Sequence, residues 1–144
     1  MGFLIALISG ALMSIQGVFN SGVTKQTSIW VASSFVQFSA LLVCIIAWFV
    51  TGREGTFASL FRIQDKYMLL GGAIGAFITY TVIQSIGTLG PAKATMLIVS
   101  AQLVISYLIE LFGLFGQEKV AFEWRKIIGL ALIIVGILTF KWKD

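Results

Sequence analysis

The stretch that decides the fold runs from Ile29 to Thr51 and reads IWVASSFVQFSALLVCIIAWFVT, without one charged side chain. An α-helix needs about 20 mainly apolar residues to cross the hydrocarbon core of a bilayer. This stretch meets that length, and uncharged runs of this length are typical of membrane helices. It therefore predicts a transmembrane helix.

Four further apolar runs lie before and after this stretch, and charged residues separate the runs. Aromatic residues near the run ends, such as Trp30 and Trp48, are typical of the membrane–water interface. The connection of residues 52–66 mixes apolar and charged side chains, so it either lies flat on the interface or is an ordinary loop. We expect an all-α membrane protein, a single domain over residues 1–144 with five transmembrane helices. The runs place these helices at about residues 2–23, 29–51, 67–89, 91–115 and 124–140.

The composition agrees with a membrane protein and argues against several classes of function. Of the 144 residues, 58% are hydrophobic and 11% are charged, whereas ordinary soluble domains are about 25% charged. With one cysteine and no histidine, the chain lacks the residues of Ser-His-Asp or Cys-His catalysis and of ordinary zinc or haem sites. Its basic residues lie between apolar runs and form no basic stripe. We therefore expect no enzyme activity, no cofactor, no metal and no nucleic-acid partner.

The basic residues give only a weak signal for orientation in the membrane. Six lie on the side of the second and fourth connections, and four lie on the opposite side, a small difference under the positive-inside rule. One interpretation is a fixed protein with its N-terminus inside, and the other is insertion in both orientations with pairing to an inverted copy. Transporters commonly join two inverted repeats around a site at the midplane, so the short chain favours an antiparallel homodimer of ten helices. The six are Arg53, Arg62, Lys66, Lys119, Arg125 and Lys126, and the four are Lys25, Lys93, Lys141 and Lys143.

Polar side chains recur at helical spacing on four of the five predicted helices. Polar groups are costly in lipid and usually face protein or water. They either form hydrogen bonds between helices or line a shared cavity, and for the amides we expect the cavity. Because amides both donate and accept hydrogen bonds, such a cavity suits a small polar or cationic organic solute. The predicted cavity residues are Gln16, Asn20, Ser34, Gln37, Tyr80, Gln84, Gln102 and Ser106.

Two further features concern ion coupling and packing. Glu110 is the single carboxylate within the predicted membrane helices. It either binds a proton or a cation, or it reaches the interface or pairs with Lys119 or Arg125. Gly129 and Gly136, seven residues apart, share one face of the fifth helix, and we expect this face to pack between the subunits of a dimer.

Several short motifs follow one another at defined spacings along nearly the whole chain. They are Ser9-Gly10, Gln16-Gly17 with Asn20, Ser34-Phe35, Leu89-Gly90-Pro91-Ala92, and Gln102 followed by Glu110 and Phe112-Gly113-Leu114-Phe115-Gly116. In order, spacing and length they resemble the YdcZ-type family, five-helix members of the drug/metabolite transporter superfamily. The resemblance implies an exporter of the bacterial inner (plasma) membrane. Since some members have dual topology and others occur as opposed pairs or fused tandem copies, it also implies an antiparallel ten-helix assembly.

The chain departs from this resemblance at positions that bear on ion coupling. Members usually carry Asp and then His where this chain has Glu110 and Leu111, and Gln37 lies where small residues are usual. The related small multidrug resistance transporters carry an essential Glu in the first helix, where the counterpart here is Gln16, which cannot exchange a proton. Their dimerisation helix is similar to the fifth helix with its two glycines.

These observations lead to one main hypothesis and two alternatives. The main hypothesis is a transporter that alternates access to a polar cavity at the interface of an antiparallel homodimer, with Glu110 as the membrane candidate for proton coupling. A small ion channel of dual topology is the first alternative. A membrane subunit that transports nothing, and whose polar residues only pack against a partner, is the second.

Overall fold

The structure, a computed structural model, describes residues 1–53 and 55–141. This part of the chain forms five α-helices and three short 3₁₀ helices and contains no strand, which confirms the all-α class predicted from the sequence. Lys143 of the charge count lies outside the described residues. The α-helices are α1 (Gly2–Gln26), α2 (Ile29–Val50), α3 (Gly71–Leu89), α4 (Pro91–Phe112) and α5 (Trp124–Lys141), and the 3₁₀ helices are Phe57–Arg62, Lys66–Leu70 and Leu114–Gly116.

Four helical segments of the described residues are long and apolar enough to cross a membrane, namely Gly2–Gln26, Ile29–Val50, Lys66–Leu89 and Pro91–Phe112. They correspond to the first four predicted spans. Helix α5 has 18 residues, which is near the lower limit for a span, and basic residues stand at both of its ends. Its passage through the membrane remains a prediction.

The ends of the helices follow from their capping residues. Ser28 caps α2, because its hydroxyl accepts a hydrogen bond of 3.3 Å from the backbone N–H of Val31. Pro91 stands in the first turn of α4, where no helical hydrogen bond needs its missing N–H. Gly113 then takes a left-handed conformation with φ of 64°, which ends α4 at Phe112. The prediction that this helix continues to residue 115 is therefore wrong.

Two other helices have different bounds from those predicted. Helix α1 continues to Gln26 rather than to residue 23, with Lys25 in its last turn. A cation is favourable at that place because the C-terminal end of a helix carries partial negative charge. The third predicted helix begins as the 3₁₀ helix Lys66–Leu70 and becomes α-helical only at Gly71, a common transition at helix ends.

The chain forms two compact units, Met1–Gly87 and Thr88–Asp144. The single domain over residues 1–144 remains a prediction. In the first unit, Gly17 allows α1 to approach α3 closely. A β-carbon at this position would lie 2.6 Å from Cδ1 of Ile86 and 3.4 Å from Cγ1 of Val82. Ile83 and Ile86 of α3 are buried, with 2% and 8% of their surface exposed.

The connection between α2 and α3 folds back against α2. The ring of Phe57 meets the ring of Trp48 edge to face, with 5.0 Å between the centroids. Phe61 of the same 3₁₀ helix is 88% exposed, as expected of a side chain that meets lipid rather than water. The position of this segment on the membrane interface remains a prediction.

In the second unit, Tyr107 of α4 contacts residues at the N-terminal end of α5. The Tyr107 hydroxyl accepts a hydrogen bond of 3.4 Å from the backbone N–H of Glu123. The ammonium group of Lys126 lies 5.5 Å from the centroid of the Tyr107 ring and 4.0 Å from the Glu123 carboxylate. These contacts hold the start of α5 against α4.

Candidate functional site

A groove of about 860 Å³ lies between α1 and α2 in the first unit. Gln16 and Asn20 line it from α1, together with Phe19, while Phe35 and Cys44 line it from α2. Its volume lies within the range of about 300–1,000 Å³ that is typical of small-molecule sites. The groove is mostly apolar, and its polar lining residues are the two amides of α1 and the smaller side chains of Ser9, Ser39 and Cys44.

Gln16 and Asn20 present unpaired amides to this groove. They are four residues apart and so share one face of α1. Asn20 is buried, with 8% of its surface exposed, whereas Gln16 is exposed. Neither amide forms a hydrogen bond with another described residue, whereas the hydroxyl of Ser39, also in the groove, donates to the carbonyl of Val36 over 3.0 Å. The two amides are therefore available to a bound solute.

Gln37 lies on a different face of α2 and joins that helix to α3. Its Nε2 donates a hydrogen bond of 3.2 Å to Oγ1 of Thr79, which in turn donates to the carbonyl of Gly75 over 3.0 Å. Gln37 is half-buried and does not line the groove. Gln37 thus forms a hydrogen bond between two helices, which is the alternative to lining a shared cavity.

Tyr80 and Gln84 lie together on α3, and α2 contributes an aromatic partner. The Tyr80 ring stacks on that of Trp30 with 4.9 Å between centroids and 27° between planes. The Gln84 Nε2 lies 3.5 Å from the Tyr80 hydroxyl, a long hydrogen bond. Ser34 is exposed and lies outside the groove lining. The structure thus separates these predicted cavity residues from Gln16 and Asn20.

The remaining predicted polar residues lie on α4, in the second unit. Gln102, Ser106 and Glu110 are all exposed. Glu110 stands two residues before the end of α4, and its backbone carbonyl accepts hydrogen bonds from the N–H groups of Gly113 and Val120, at 3.3 Å and 3.0 Å. Among the described residues its carboxylate forms no ion pair, so the structure does not pair it with Lys119 or Arg125.

The two glycines of α5 both have open space where a β-carbon would lie. Gly129 lines a small, mostly apolar cavity of about 240 Å³ with Leu103 and Tyr107 of α4. It therefore lies on the side of α5 that faces α4. A β-carbon at Gly136 would have no neighbour within 4 Å, which leaves room there for another helix. Packing of this face between subunits remains a prediction.

Of the eight predicted cavity residues, the structure brings only Gln16 and Asn20 together in the α1–α2 groove. A single cavity lined by all eight remains a prediction. Sequence reasoning did not assign Phe19, Phe35 and Cys44 to the site, although all three line the groove. Apolar aromatic positions such as Phe19 and Phe35 carry no polar signal by which the sequence could assign them to a site.

A family model described as "Putative inner membrane exporter, YdcZ" matches residues 1–139. No curated relative and no solved structure shows a significant match to the chain. The family match and the four apolar spans agree on an integral protein of the inner membrane.

Proposed function

We propose that this chain, which belongs to the YdcZ family of inner-membrane exporters, carries a small polar or cationic organic solute through the groove between α1 and α2. Membership of an exporter family suggests a transporter rather than an enzyme. The observation that carries the proposal is the pair of unpaired amides, Gln16 and Asn20, in a groove large enough for a small organic molecule. A solute that meets both amides would recover hydrogen bonds that it loses on leaving water.

The contacts around the groove suggest how it could change shape. The Gln37–Thr79 hydrogen bond and the Trp30–Tyr80 stack hold α2 to α3. In our proposal, α2 and α3 move as one body, and the groove opens or closes as α1 moves against them. The β-carbon position of Gly17 lies 2.6 Å from Cδ1 of Ile86 on α3, and we propose this contact as the pivot.

Alternating access requires a second half, which we propose is an inverted copy of the same chain. The small difference in basic residues between the two sides supports it, because the chain then has no strong preference for one orientation. Two inverted copies would form ten helices around a pseudo-two-fold axis in the membrane plane. We place a contact between copies at Gly136, and we propose that Ser34, Gln84, Gln102 and Ser106 complete the polar cavity in the dimer, with Glu110 as its proton site.

Transport is tested with purified protein in liposomes loaded with a panel of radiolabelled polar and cationic solutes. Gln16→Ala and Asn20→Ala should each lower the rate about tenfold, since an interaction of about 1.4 kcal/mol corresponds to a factor of ten. Ser14→Ala is the matched control, because the Ser14 hydroxyl donates to the Gly10 carbonyl of its own helix over 3.2 Å and Ser14 does not line the groove. If the wild type moves none of the solutes, or if Ser14→Ala loses as much rate as the amide variants, the proposal is wrong.

The inverted copy has a separate test. Single cysteines replace Lys25 or Lys66 in a Cys44→Ala background, and intact cells are treated with a maleimide that does not cross the membrane. Dual topology predicts that both positions react in part from the outside. Reaction at only one of them would show a fixed orientation and would contradict the antiparallel homodimer.

A further inference from the structure

We infer that the molecule bound in the α1–α2 groove is an electrically neutral amphiphile, with an apolar body and one uncharged hydrogen-bonding group. The inference rests on the proposed function, whose groove it takes as the binding site. Of the polar or cationic solutes proposed there, it keeps the neutral ones and leaves the cationic ones out. Three properties of the groove support it, namely its lack of charge, its pair of amides and its aromatic walls.

The lining of the groove carries no charged side chain among the described residues. A permanent cation that enters it gives up water without gaining a counter-charge, which is strongly unfavourable in an apolar environment. The amides of Gln16 and Asn20 offer dipoles rather than a full charge. A neutral molecule meets no such penalty in the groove.

The two amides of the groove lie within one turn of α1, and the Ser9 hydroxyl lies two turns before Gln16. Asn20 is 8% exposed and Gln16 lies one turn before it, so one hydroxyl, amide or carbonyl group of a ligand can reach both. The Ser39 hydroxyl is already bonded to the Val36 carbonyl. A ligand without any polar group would leave the buried Asn20 amide unpaired, which is unfavourable. The groove therefore favours one polar group on an otherwise apolar ligand.

The rest of the lining suits an apolar body. Phe19 and Phe35 line the groove from opposite helices and are 68% and 64% exposed, so their rings are accessible. Met13 adds a flexible thioether, which adapts to ligands of irregular shape. Aromatic faces also attract cations, so the preference for a neutral ligand has to be measured on molecules that differ in charge alone.

The chain supplies its own reporter for this measurement. Cys44 is its single cysteine, is exposed and lines the groove. The rate of its alkylation by N-ethylmaleimide in the purified protein therefore reports occupancy of the groove. The probes are a phenylalkyl alcohol that ends in a tert-butyl group and its isosteric trimethylammonium analogue, which share shape and hydroxyl and differ in charge.

The neutral alcohol should protect Cys44 at a concentration about tenfold lower than the cation does, because the cation lacks a counter-charge. Gln16→Ala and Asn20→Ala should weaken protection by the alcohol, while Ser14→Ala should not. Equal or better protection by the cation would overturn the inference, and transport of cations in liposomes would then leave the proposed function standing. If the alcohol protects Cys44 but no solute is transported, the inference about the groove stands and the proposed export function is wrong.

Two further outcomes would place the ligand elsewhere and so overturn the inference. Cys44 also lines a smaller cavity with Trp48 and Phe57, and protection that is lost in Phe57→Ala but kept in Asn20→Ala would place the ligand there. If Cys44 is shielded without any probe and becomes reactive on dilution of the protein, a second copy of the chain covers the groove.

Discussion

Replacement of Gly17 by alanine tests the contact of α1 with Ile86 of α3. The new β-carbon would lie 2.6 Å from Cδ1 of Ile86, whereas carbon atoms in good contact are about 3.5–4.0 Å apart, so Cδ1 has to retreat by about 1 Å. Overpacking of this kind typically costs about 1–3 kcal/mol. Because Cδ1 is the far end of a flexible side chain, we expect the lower half of that range and a melting temperature about 5 °C lower.

The matched control is Gly10→Ala, seven residues earlier on the same helix, where a β-carbon has no neighbour within 4 Å. Both substitutions add the same methyl group to α1 and gain the same helix propensity, so the difference between their melting temperatures isolates the contact.

Ile86→Val removes Cδ1 and should rescue Gly17→Ala, with a coupling of about 1 kcal/mol in the double-mutant cycle. Thermal unfolding of the purified proteins, monitored by size-exclusion chromatography, measures the four members of the cycle and the Gly10→Ala control. Equal melting temperatures for Gly17→Ala and Gly10→Ala, together with no coupling to Ile86, would refute the close approach of α1 to α3.

Three further predictions concern other parts of the chain. Gln37→Ala and Thr79→Val should show a coupling of about 0.6 kcal/mol in unfolding, the average for hydrogen bonds between membrane helices, and purely additive effects would contradict the bond. Gly113→Ala should destabilise the protein by about 1–2 kcal/mol, because an L side chain is strained in the left-handed conformation, whereas Gly72→Ala, with open space at its β-carbon, should not. Glu110→Gln should remove the pH dependence of transport and leave dimerisation intact on size-exclusion chromatography, and an unchanged pH profile would exclude it as the proton site.

The membrane helices could be predicted from the sequence because their signal is local. A run such as residues 29–51 is both uncharged and long enough to span the bilayer. Capping signals are equally local, and the glycine at 113 could have placed the end of α4 at Phe112. The conformation of a single glycine is not fixed by its identity, however, and only the structure shows that Gly113 is left-handed.

The site could be predicted only in part, because helical spacing identifies a face of a helix but not what that face meets. Gln16 and Asn20, whose spacing puts them on one face of α1, both line the groove. The same reasoning grouped Gln37 with them, yet it bonds Thr79 on α3. Trp30, which the sequence predicts at the interface, stacks on Tyr80. Such partners come from segments that are distant in the sequence.

Export after chemical blockage of the groove tests the central claim most directly. Cys44 lines the groove, so its alkylation with a bulky maleimide should stop solute export from liposomes that hold the wild-type protein. The Cys44→Ser variant should export at the wild-type rate and be insensitive to the reagent. Continued export by wild-type protein with its thiol fully alkylated would contradict the claim that solutes pass between α1 and α2.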